Sequence, residues 1–394
     1  MSNQTRSHHP EMNHPRGVTA WPVRVAIVAL AALASGCVNG VGWLPDSSGF
    51  VYTTSKGQLA VFDLKTKSSK VLVKDTGTNT YWPAVSPDGK RIAVAGLSFD
   101  GGKEGRLQVL IYDRQGREEH RSERLAWGRA KKGKPDRDCT MTQLFWSPDG
   151  TKLLVYGSTY RTYGTTGVYD LKNNRMTRWE RAVPSTFRTT PARSDGKGFL
   201  LARLREDGEA LQGLGFVSWD GKERPIRLKF DPNEEKEGAG AIFPVLVWPV
   251  LRRSRWDGAV AEVTVGTSRI RIDTAEGVGT LAESGKAEVM LGERLIWQQH
   301  AFPERGAVLS VLTPAKGKES YDEFTIVASG PKEKGLREIV PGGSNRLLGL
   351  FPAPDGKHAV VRVWEGDRKG PDADLLWLVD GRGQVVAKID VNEE

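Results

Sequence analysis

The sequence predicts an all-β fold, and three observations carry that prediction. The 394 residues include 45 Gly and 21 Pro, a content that favours many tight turns. Hairpin signals recur along the chain, each of them a Pro-Asp-Gly turn or a close variant followed by an apolar or alternating strand. A second mark, a strand that ends in Asp before a polar turn, follows most of these hairpins. The hydrophobic fraction of 38%, with 12 Trp, is sufficient for a large core.

The hairpin turns have a clear stereochemical basis. Pro fixes φ, Asp accepts hydrogen bonds from nearby backbone amides, and Gly takes the positive φ that closes the turn. Weaker copies of the turn lie at Asp195-Gly196, Asp257-Gly258 and Pro303-Glu304. The clear copies supply the residues that we interpret as structural turn formers: Asp46, Asp88, Gly89, Asp149, Gly150, Asp355 and Gly356.

The spacing of the hairpins predicts how the strands are assembled. The strands that end in Asp stop at Asp63, Asp113, Asp170, Asp220, Asp273 and Asp380, and most of them precede a further candidate strand. Four strands per unit and turn centres about 42 to 62 residues apart are typical of propeller blades. We therefore expect a single β-propeller over residues 42–394, with about seven four-stranded blades. Six blades plus an irregular segment is the alternative, because 230–300 is the least regular stretch.

The N-terminal segment has the pattern of an export signal. Residues 1–24 are polar with three arginines, Val25–Ala34 is apolar, and Ser35-Gly36-Cys37 follows. Ten apolar residues are too few to span a bilayer as a helix, but they suit the apolar region of a signal peptide. The alternative is an uncleaved anchor or an ordinary secretory signal.

The segment Leu33-Ala34-Ser35-Gly36-Cys37 resembles a bacterial lipobox. The resemblance implies that residues 1–36 are a lipoprotein signal peptide and that Cys37 becomes the acylated first residue, with 37–41 as a short tether. Ala34 departs from the pattern, in which Leu is more frequent three residues before the Cys. We expect an exported protein that is lipid-anchored in the bacterial cell envelope and faces the periplasm or the cell surface, with either membrane possible.

The Pro-Asp-Gly hairpins look like those of TolB-like propellers, and the resemblance covers nearly all of 41–394. It implies the scaffold alone, since the additional N-terminal domain of TolB itself has no counterpart here. The sialidase-type Asp box also has Asp and Gly in such hairpins, but no copy in this chain carries its Thr-Trp pair.

One face of the predicted propeller should carry the long connections. With strands named A to D from the axis to the rim, the Pro-Asp-Gly turns join A to B. The long segments fall between B and C or between D and A, so all of them emerge at the opposite end, which we call the long-loop face. We predict these long segments at 96–106, 158–167, 203–213, 365–374, 121–141 and 231–240.

The long-loop face holds the candidate partner-binding residues, because long loops on a rigid scaffold often carry recognition. A solvated loop is the plainer interpretation of each of them. Strand A of the first blade starts close to Cys37 on this face, so we also expect the face to lie near the membrane. The candidates form a basic run and an aromatic pair: Arg129, Lys131, Lys132, Lys134, Arg137, Tyr160, Arg161 and Tyr163.

The patterns of common catalytic and metal sites are missing from the sequence. His120, His300 and His358 are isolated, and two cysteines, one of them the acylation candidate, exclude a disulfide framework. No G-x-S-x-G elbow or complete dinucleotide fingerprint occurs. A basic neighbourhood makes Cys139 a weak candidate for a reactive thiol, and a bystander role is the simpler interpretation. The tryptophans beside predicted strands, Trp82, Trp146, Trp248, Trp297 and Trp377, are expected to pack between blades.

The net charge of +9 falls to about +7 without the leader, which suits an anionic partner but does not select one. We expect a non-catalytic lipoprotein that binds a protein or an envelope polymer, with no cofactor, no metal and no nucleic acid, as a monomer on the membrane. The alternatives are a lyase or glycoside hydrolase that acts in the central channel, and a sensor of a small ligand.

Overall fold

The described part of the chain consists of β-strands and their connections. The structure is a computed structural model, and no helix in its described residues is long and apolar enough to cross a membrane. The predicted signal peptide, Cys37 and Cys139 lie outside the described residues. The structure describes residues 40–76, 82–100, 104–129, 140–159, 162–184, 195–204, 211–230, 253–265, 268–283, 290–291, 294–302, 307–312, 325–329, 337–340, 345–365 and 373–391.

Within these residues the strands form seven successive antiparallel meanders of four strands, and the last strands of the fourth and fifth meanders also pair with each other in parallel. The first meander is β1 Val41–Trp43, β2 Gly49–Thr53, β3 Leu59–Asp63 and β4 Ser68–Val73, and the second is β5 Ala84–Val85, β6 Arg91–Asp100, β7 Glu104–Asp113 and β8 Glu118–Arg121. In the second meander an additional strand, β9 Leu125–Arg129, pairs with β7. The third meander is β10 Thr140–Trp146, β11 Lys152–Thr159, β12 Thr162–Asp170 and β13 Arg175–Trp179, and the fourth is β14 Ala182–Pro184, β15 Gly198–Leu204, β16 Leu211–Ser218 and β17 Glu223–Leu228. The fifth meander is β18 Arg253–Asp257, β19 Val260–Val265, β20 Ser268–Asp273 and β21 Val278–Glu283. A short strand, β22 Met290–Leu291, precedes the sixth meander and pairs with its first strand; this meander is β23 Arg294–Ala301, β24 Val308–Leu312, β25 Thr325–Ser329 and β26 Arg337–Val340. The seventh meander is β27 Asn345–Pro352, β28 His358–Glu365, β29 Ala373–Asp380 and β30 Val385–Asp390.

Apolar clusters pack consecutive meanders against one another, and the seventh meander packs against the first. Shared apolar clusters join the first meander to the second, the second to the third, the third to the fourth, the fourth to the fifth, and the sixth to the seventh. A further cluster combines Phe50 and Tyr52 of β2 with Val360 of β28 and Leu376 of β29. This order of packing is that of a β-propeller. The fold class is therefore confirmed, whereas the number of blades in the whole ring stays a prediction.

The Pro-Asp-Gly turns hold neighbouring meanders together as well as joining strands A and B. Gly89, Gly150 and Gly356 have φ values of 70°, 67° and 67°. Gly89 also faces the turn of the preceding meander, since a Cβ added there would lie 3.4 Å from Cδ of Pro45. The same relation recurs between Gly196 and Pro148, where the Cβ would lie 2.7 Å from Cγ. The repeat therefore sets the distance between successive sheets.

The aspartates of these turns are engaged by their own turns. Oδ1 of Asp88 accepts hydrogen bonds from the Ser86 hydroxyl at 2.6 Å and from the Lys90 amide at 3.1 Å. The hydrogen bond from Ser86, followed by that from Lys90, lowers the pKa of Asp88. In the same way, hydrogen bonds from Ser48 lower the pKa of Asp46. These carboxylates act as fixed acceptors that stabilise the turns.

The contact between the first and last meanders uses a modified copy of the turn. Ser47 stands where the other copies have Gly, at a φ of 56°, and its hydroxyl accepts a hydrogen bond of 3.1 Å from the backbone amide of Asp355. Nε1 of Trp43 donates to the backbone oxygen of Phe351 at 2.9 Å. No strand is exchanged between these two meanders, so side-chain packing and these hydrogen bonds join them.

A buried ion pair lies in the seventh meander beside this junction. Arg362 is fully buried, and its Nε donates to Oδ1 of Asp374 at 2.7 Å while Nη2 contacts Oδ2. Its Nη1 has no hydrogen-bond partner among the described residues. The guanidinium therefore depends on Asp374 for compensation of its charge.

Two predicted long loops and part of a third are wrong, because strands occupy them. Residues 96–100 and 104–106 continue β6 and β7, paired from Gly96↔Gln108 to Asp100↔Glu104. Most of 158–167 lies in β11 and β12, and part of 121–141 forms β9. They were predicted as loops because they are long insertions between predicted strands. Alternating residues such as Leu97 and Phe99 instead continue a strand once a neighbouring strand supplies the hydrogen bonds.

Replacing Asp374 with Asn should destabilise the protein strongly, because the buried Arg362 charge would lose its counterion. We expect a decrease in the free energy of unfolding of about 3–5 kcal/mol, measured by chemical denaturation. The matched control is Glu223→Gln, which removes the partner of Arg203 in a pair whose side chains are 31% and 23% exposed, and which should cost about 1 kcal/mol or less. Equal effects of the two substitutions would contradict the role of Arg362–Asp374.

Candidate binding face

The long-loop face is recognised in the structure by the direction of the strands. β1 begins at Val41, which pairs with Tyr52 near the end of β2 that leads into the B–C connection. The chain therefore enters the propeller at the long-loop face. Gly40 is already buried there, against the ring of Trp82, and the ring leaves no space for a Cβ at this position.

The main feature of this face is a projecting three-stranded ribbon. Beyond its pairing with β5, which covers only Ala84↔Ala93 and Val85↔Ile92, β6 continues to Asp100 and β7 returns from Glu104. β9 adds to the same part of β7, with the register running from Leu107↔Leu125 to Glu104↔Arg129. We call this element, residues 96–100, 104–107 and 125–129, the ribbon. At the outer end of the ribbon, Asp100 pairs with Glu104, and Glu104 also pairs with Arg129.

Ser122 creates the ribbon by splitting the outermost strand into β8 and β9. The Ser122 hydroxyl accepts a hydrogen bond of 2.9 Å from the amide of Val109 and donates one of 2.7 Å to the carbonyl of Glu123. The amide of Ser122 donates to the carbonyl of Val109 at 2.9 Å. These bonds satisfy the backbone where the regular ladder is interrupted, so β9 can resume pairing with β7 beyond the interruption.

The third meander holds the ribbon in place. Trp127 of β9 is 3% exposed and lies against two glycines, Gly157 of β11 and Gly167 of β12. A Cβ at Gly157 would lie 2.5 Å from Nε1 of Trp127, and one at Gly167 would lie 3.2 Å from Cζ3. In addition, Nη1 of Arg178 donates to the carbonyl of Ala126 at 2.5 Å. The ribbon is therefore packed against the body of the propeller on one side.

The structure assigns positions to only some of the predicted binding residues. Arg129 ends β9 at the outer end of the ribbon, and Tyr163 lies in β12 rather than in a loop. Only the backbone is described at both positions. The other candidates, Lys131, Lys132, Lys134, Arg137, Tyr160 and Arg161, lie outside the described residues. The ribbon itself was missed, although Asp100-Gly101-Gly102 is a hairpin signal in the sequence.

The three histidines that follow the predicted signal peptide lie in separate places. His120 of β8 is 2.7 Å from the hydroxyl of Tyr169, a residue whose pKa is raised by burial to about 12. His300 of β23 packs edge-on against Phe302, and burial lowers its pKa. His358 begins β28. In the described residues no three His, Cys, Asp or Glu side chains form a group that could hold a metal ion.

The tryptophans that the structure describes pack between sheets. Trp82, Trp146 and Trp377 are 6%, 7% and 5% exposed and belong to three different clusters between meanders. Trp248 lies outside the described residues, and Trp297 is described by its backbone in β23 alone.

Comparisons with known proteins identify no family for this chain. No protein-family model matches it, and no curated protein matches it. Among solved structures, a chain of the mitotic checkpoint complex is 14% identical with a TM-score of 0.46, over 91% of this chain and 95% of that chain. The C-terminal WD40 domain of Sif2 is 11% identical with a TM-score of 0.46, over 87% and 81%. Dihydro-heme d1 dehydrogenase NirN, in complex with DHE, is 15% identical with a TM-score of 0.47, over 90% and 66%.

Gly157→Ala should release the ribbon from the third meander, because the added methyl group competes with Trp127 for space. We expect amide hydrogen exchange in β9 and in residues 96–107 to accelerate at least tenfold, while β2 and β28 keep their protection. Gly213→Ala is the matched control, since a Cβ there meets nothing within 4 Å. Unchanged exchange in β9 would show that Trp127 does not hold the ribbon.

Proposed function

We propose that this chain is an exported lipoprotein, acylated at Cys37, whose propeller is a non-catalytic scaffold that binds an anionic partner at the long-loop face. The Pro-Asp-Gly hairpins support a relation to TolB-like propellers at the level of the scaffold. The proposed location is the bacterial cell envelope, facing the periplasm or the cell surface.

The observation that carries the binding role is the ribbon. It continues β6 and β7 beyond their pairing with β5, and its inner residues Leu107 and Trp127 belong to the apolar cluster between the second and third meanders. Ser122 and Arg178 also hold it in a defined position. A rigid projection on one face of a closed scaffold is a common arrangement for recognition.

Charge indicates the chemical class of the partner. The ribbon ends at Arg129, and the chain continues there into Ala130–Arg137, a segment with four cationic residues and one Asp. A concentration of positive charge attracts polyanions and anionic surfaces.

The anchor is tested by replacing Cys37 with Ala. In a Gram-negative host the unchanged protein should incorporate an alkyne-labelled fatty acid and sediment with membranes, and the variant should lose the label completely. Labelling that persists in the variant, or an unlabelled wild-type protein, would remove the lipoprotein assignment.

The binding face is tested in the same cells by protection of single cysteines. With Cys139 changed to Ser, Asp100→Cys places a thiol at the outer end of the ribbon, and Lys90→Cys places one on the exposed turn of the opposite face. A small maleimide admitted to the periplasm should modify position 90 at least tenfold faster than position 100. Equal rates in cells would contradict a partner at the long-loop face.

A further inference from the structure

The Asp-Gly dipeptides in the turns of this chain are chemically labile. The backbone nitrogen of the glycine can attack Cγ of the aspartate, because glycine has no side chain to hinder the approach. The Cγ–N bond forms, the Cγ–O bond breaks and water leaves, which gives a five-membered succinimide. Solvent water then opens the ring to aspartate or to isoaspartate, in which the backbone runs through Cγ. The reaction therefore needs a free aspartate carboxyl group and a free glycine amide.

Seven Asp-Gly dipeptides lie wholly in the part of the chain that the structure describes. In six of them Oδ1 of the aspartate accepts a hydrogen bond from the backbone amide two residues later. These bonds hold the carboxylate in its own turn and away from the reaction. The six aspartates are Asp88, Asp149, Asp195, Asp220, Asp355 and Asp380.

The seventh dipeptide, Asp257-Gly258, has a different environment. Asp257 ends β18 and Val260 begins β19, so Gly258 and Ala259 form a two-residue hairpin loop, with Gly258 at a φ of 56°. Among the described residues no group donates to the carboxylate of Asp257, and none accepts from the amide of Gly258. Both residues are exposed, and a Cβ added at Gly258 would meet nothing within 4 Å. The two reacting groups are therefore free and open to solvent.

The chain contains an internal reference with the same tripeptide, since Trp-Asp-Gly occurs at 219–221 and at 256–258. The carboxylate of Asp220 accepts from the Ser218 hydroxyl and, at 2.8 Å, pairs with Nζ of Lys222. The glycine amide of this first copy donates to the Ser218 carbonyl at 2.9 Å. The hydrogen bonds from Lys222 and Ser218 lower the pKa of Asp220 to about 2. Its carboxylate therefore stays ionised, and an ionised carboxylate is a poor electrophile.

We propose that Asp257-Gly258 is a site of spontaneous isoaspartate formation in the folded protein, whereas the other six described Asp-Gly turns are protected. This inference does not depend on the anchor or on the partner of the proposed function. Isoaspartate at position 257 adds one carbon to the backbone beside the pair Asp257↔Val260. It therefore disturbs the hairpin that Thr274 holds through two hydrogen bonds to the Ala259 carbonyl, at 2.9 Å from its amide and 2.6 Å from its hydroxyl.

The test compares positions 257 and 220 within one sample. The purified full chain is aged at neutral pH, and its peptides are analysed by mass spectrometry with electron-transfer fragmentation, which distinguishes isoaspartate from aspartate. We expect isoaspartate at position 257 to accumulate at least about tenfold faster than at position 220, because a group engaged in its turn reacts only after the turn opens. An isoaspartate methyltransferase with labelled S-adenosylmethionine should label the peptide that contains position 257.

Denaturation and one conservative variant supply the matched controls. In a chain kept unfolded in urea, positions 257 and 220 should form isoaspartate at similar rates, because they share one tripeptide. Asp257→Glu keeps the charge at an exposed position, but its cyclisation would require a six-membered ring. This variant should therefore fold normally and lose the label from the peptide that contains position 257.

The possible failures are distinct. Equal rates at positions 257 and 220 in the folded protein would overturn the proposal. An excess at position 257 that is just as large in urea would also overturn it, since the fold would then have no part in the difference. Labelling of the same peptide that survives Asp257→Glu would place the modification at another residue.

Discussion

The contact between the first and last meanders is the constraint on which the rest of the structure depends. The two sheets come from opposite ends of the propeller sequence and share no strand. They are joined by the cluster around Phe50 and Val360, by Trp43 donating to Phe351, and by the Ser47 hydroxyl accepting from Asp355. Without this contact each of these sheets would expose an apolar face, since a four-stranded meander cannot bury both of its faces alone.

The same junction explains two local exceptions to the repeat. Ser47 holds a positive φ that favours glycine, and its hydroxyl makes a hydrogen bond that glycine could not make. Arg362 is fully buried in β28, with Asp374 of β29 as its partner. The N-terminal strand β1 belongs to this junction as well. The position at which the chain enters the propeller is therefore fixed by the packing that joins the first and last meanders.

The parts of the fold that could be predicted from sequence are local. Pro, Asp and Gly specify a hairpin within a few residues, so the turns at Asp88, Asp149 and Asp355 could be identified before their neighbours were known. The contact of Gly89 with Pro45 could not be, because it depends on which sheets become adjacent. The ion pair of Arg362 with Asp374 could not be either, because it depends on the register of β28 with β29. The ribbon lies between these cases. Asp100-Gly101-Gly102 indicated a turn, but the pairing of β9 with β7 depends on the interruption at Ser122 and on the glycines beneath Trp127.

The most direct measurement is cross-linking between the first and last meanders. Ser48→Cys and Asp355→Cys, in a chain with Cys139 changed to Ser, place two thiols next to the hydrogen bond between Ser47 and Asp355. The account predicts rapid intramolecular cross-linking by a short bifunctional maleimide in the folded monomer, and none in denaturant or for the control pair Ser48→Cys with Asp149→Cys. A folded monomer in which positions 48 and 355 do not cross-link would contradict it.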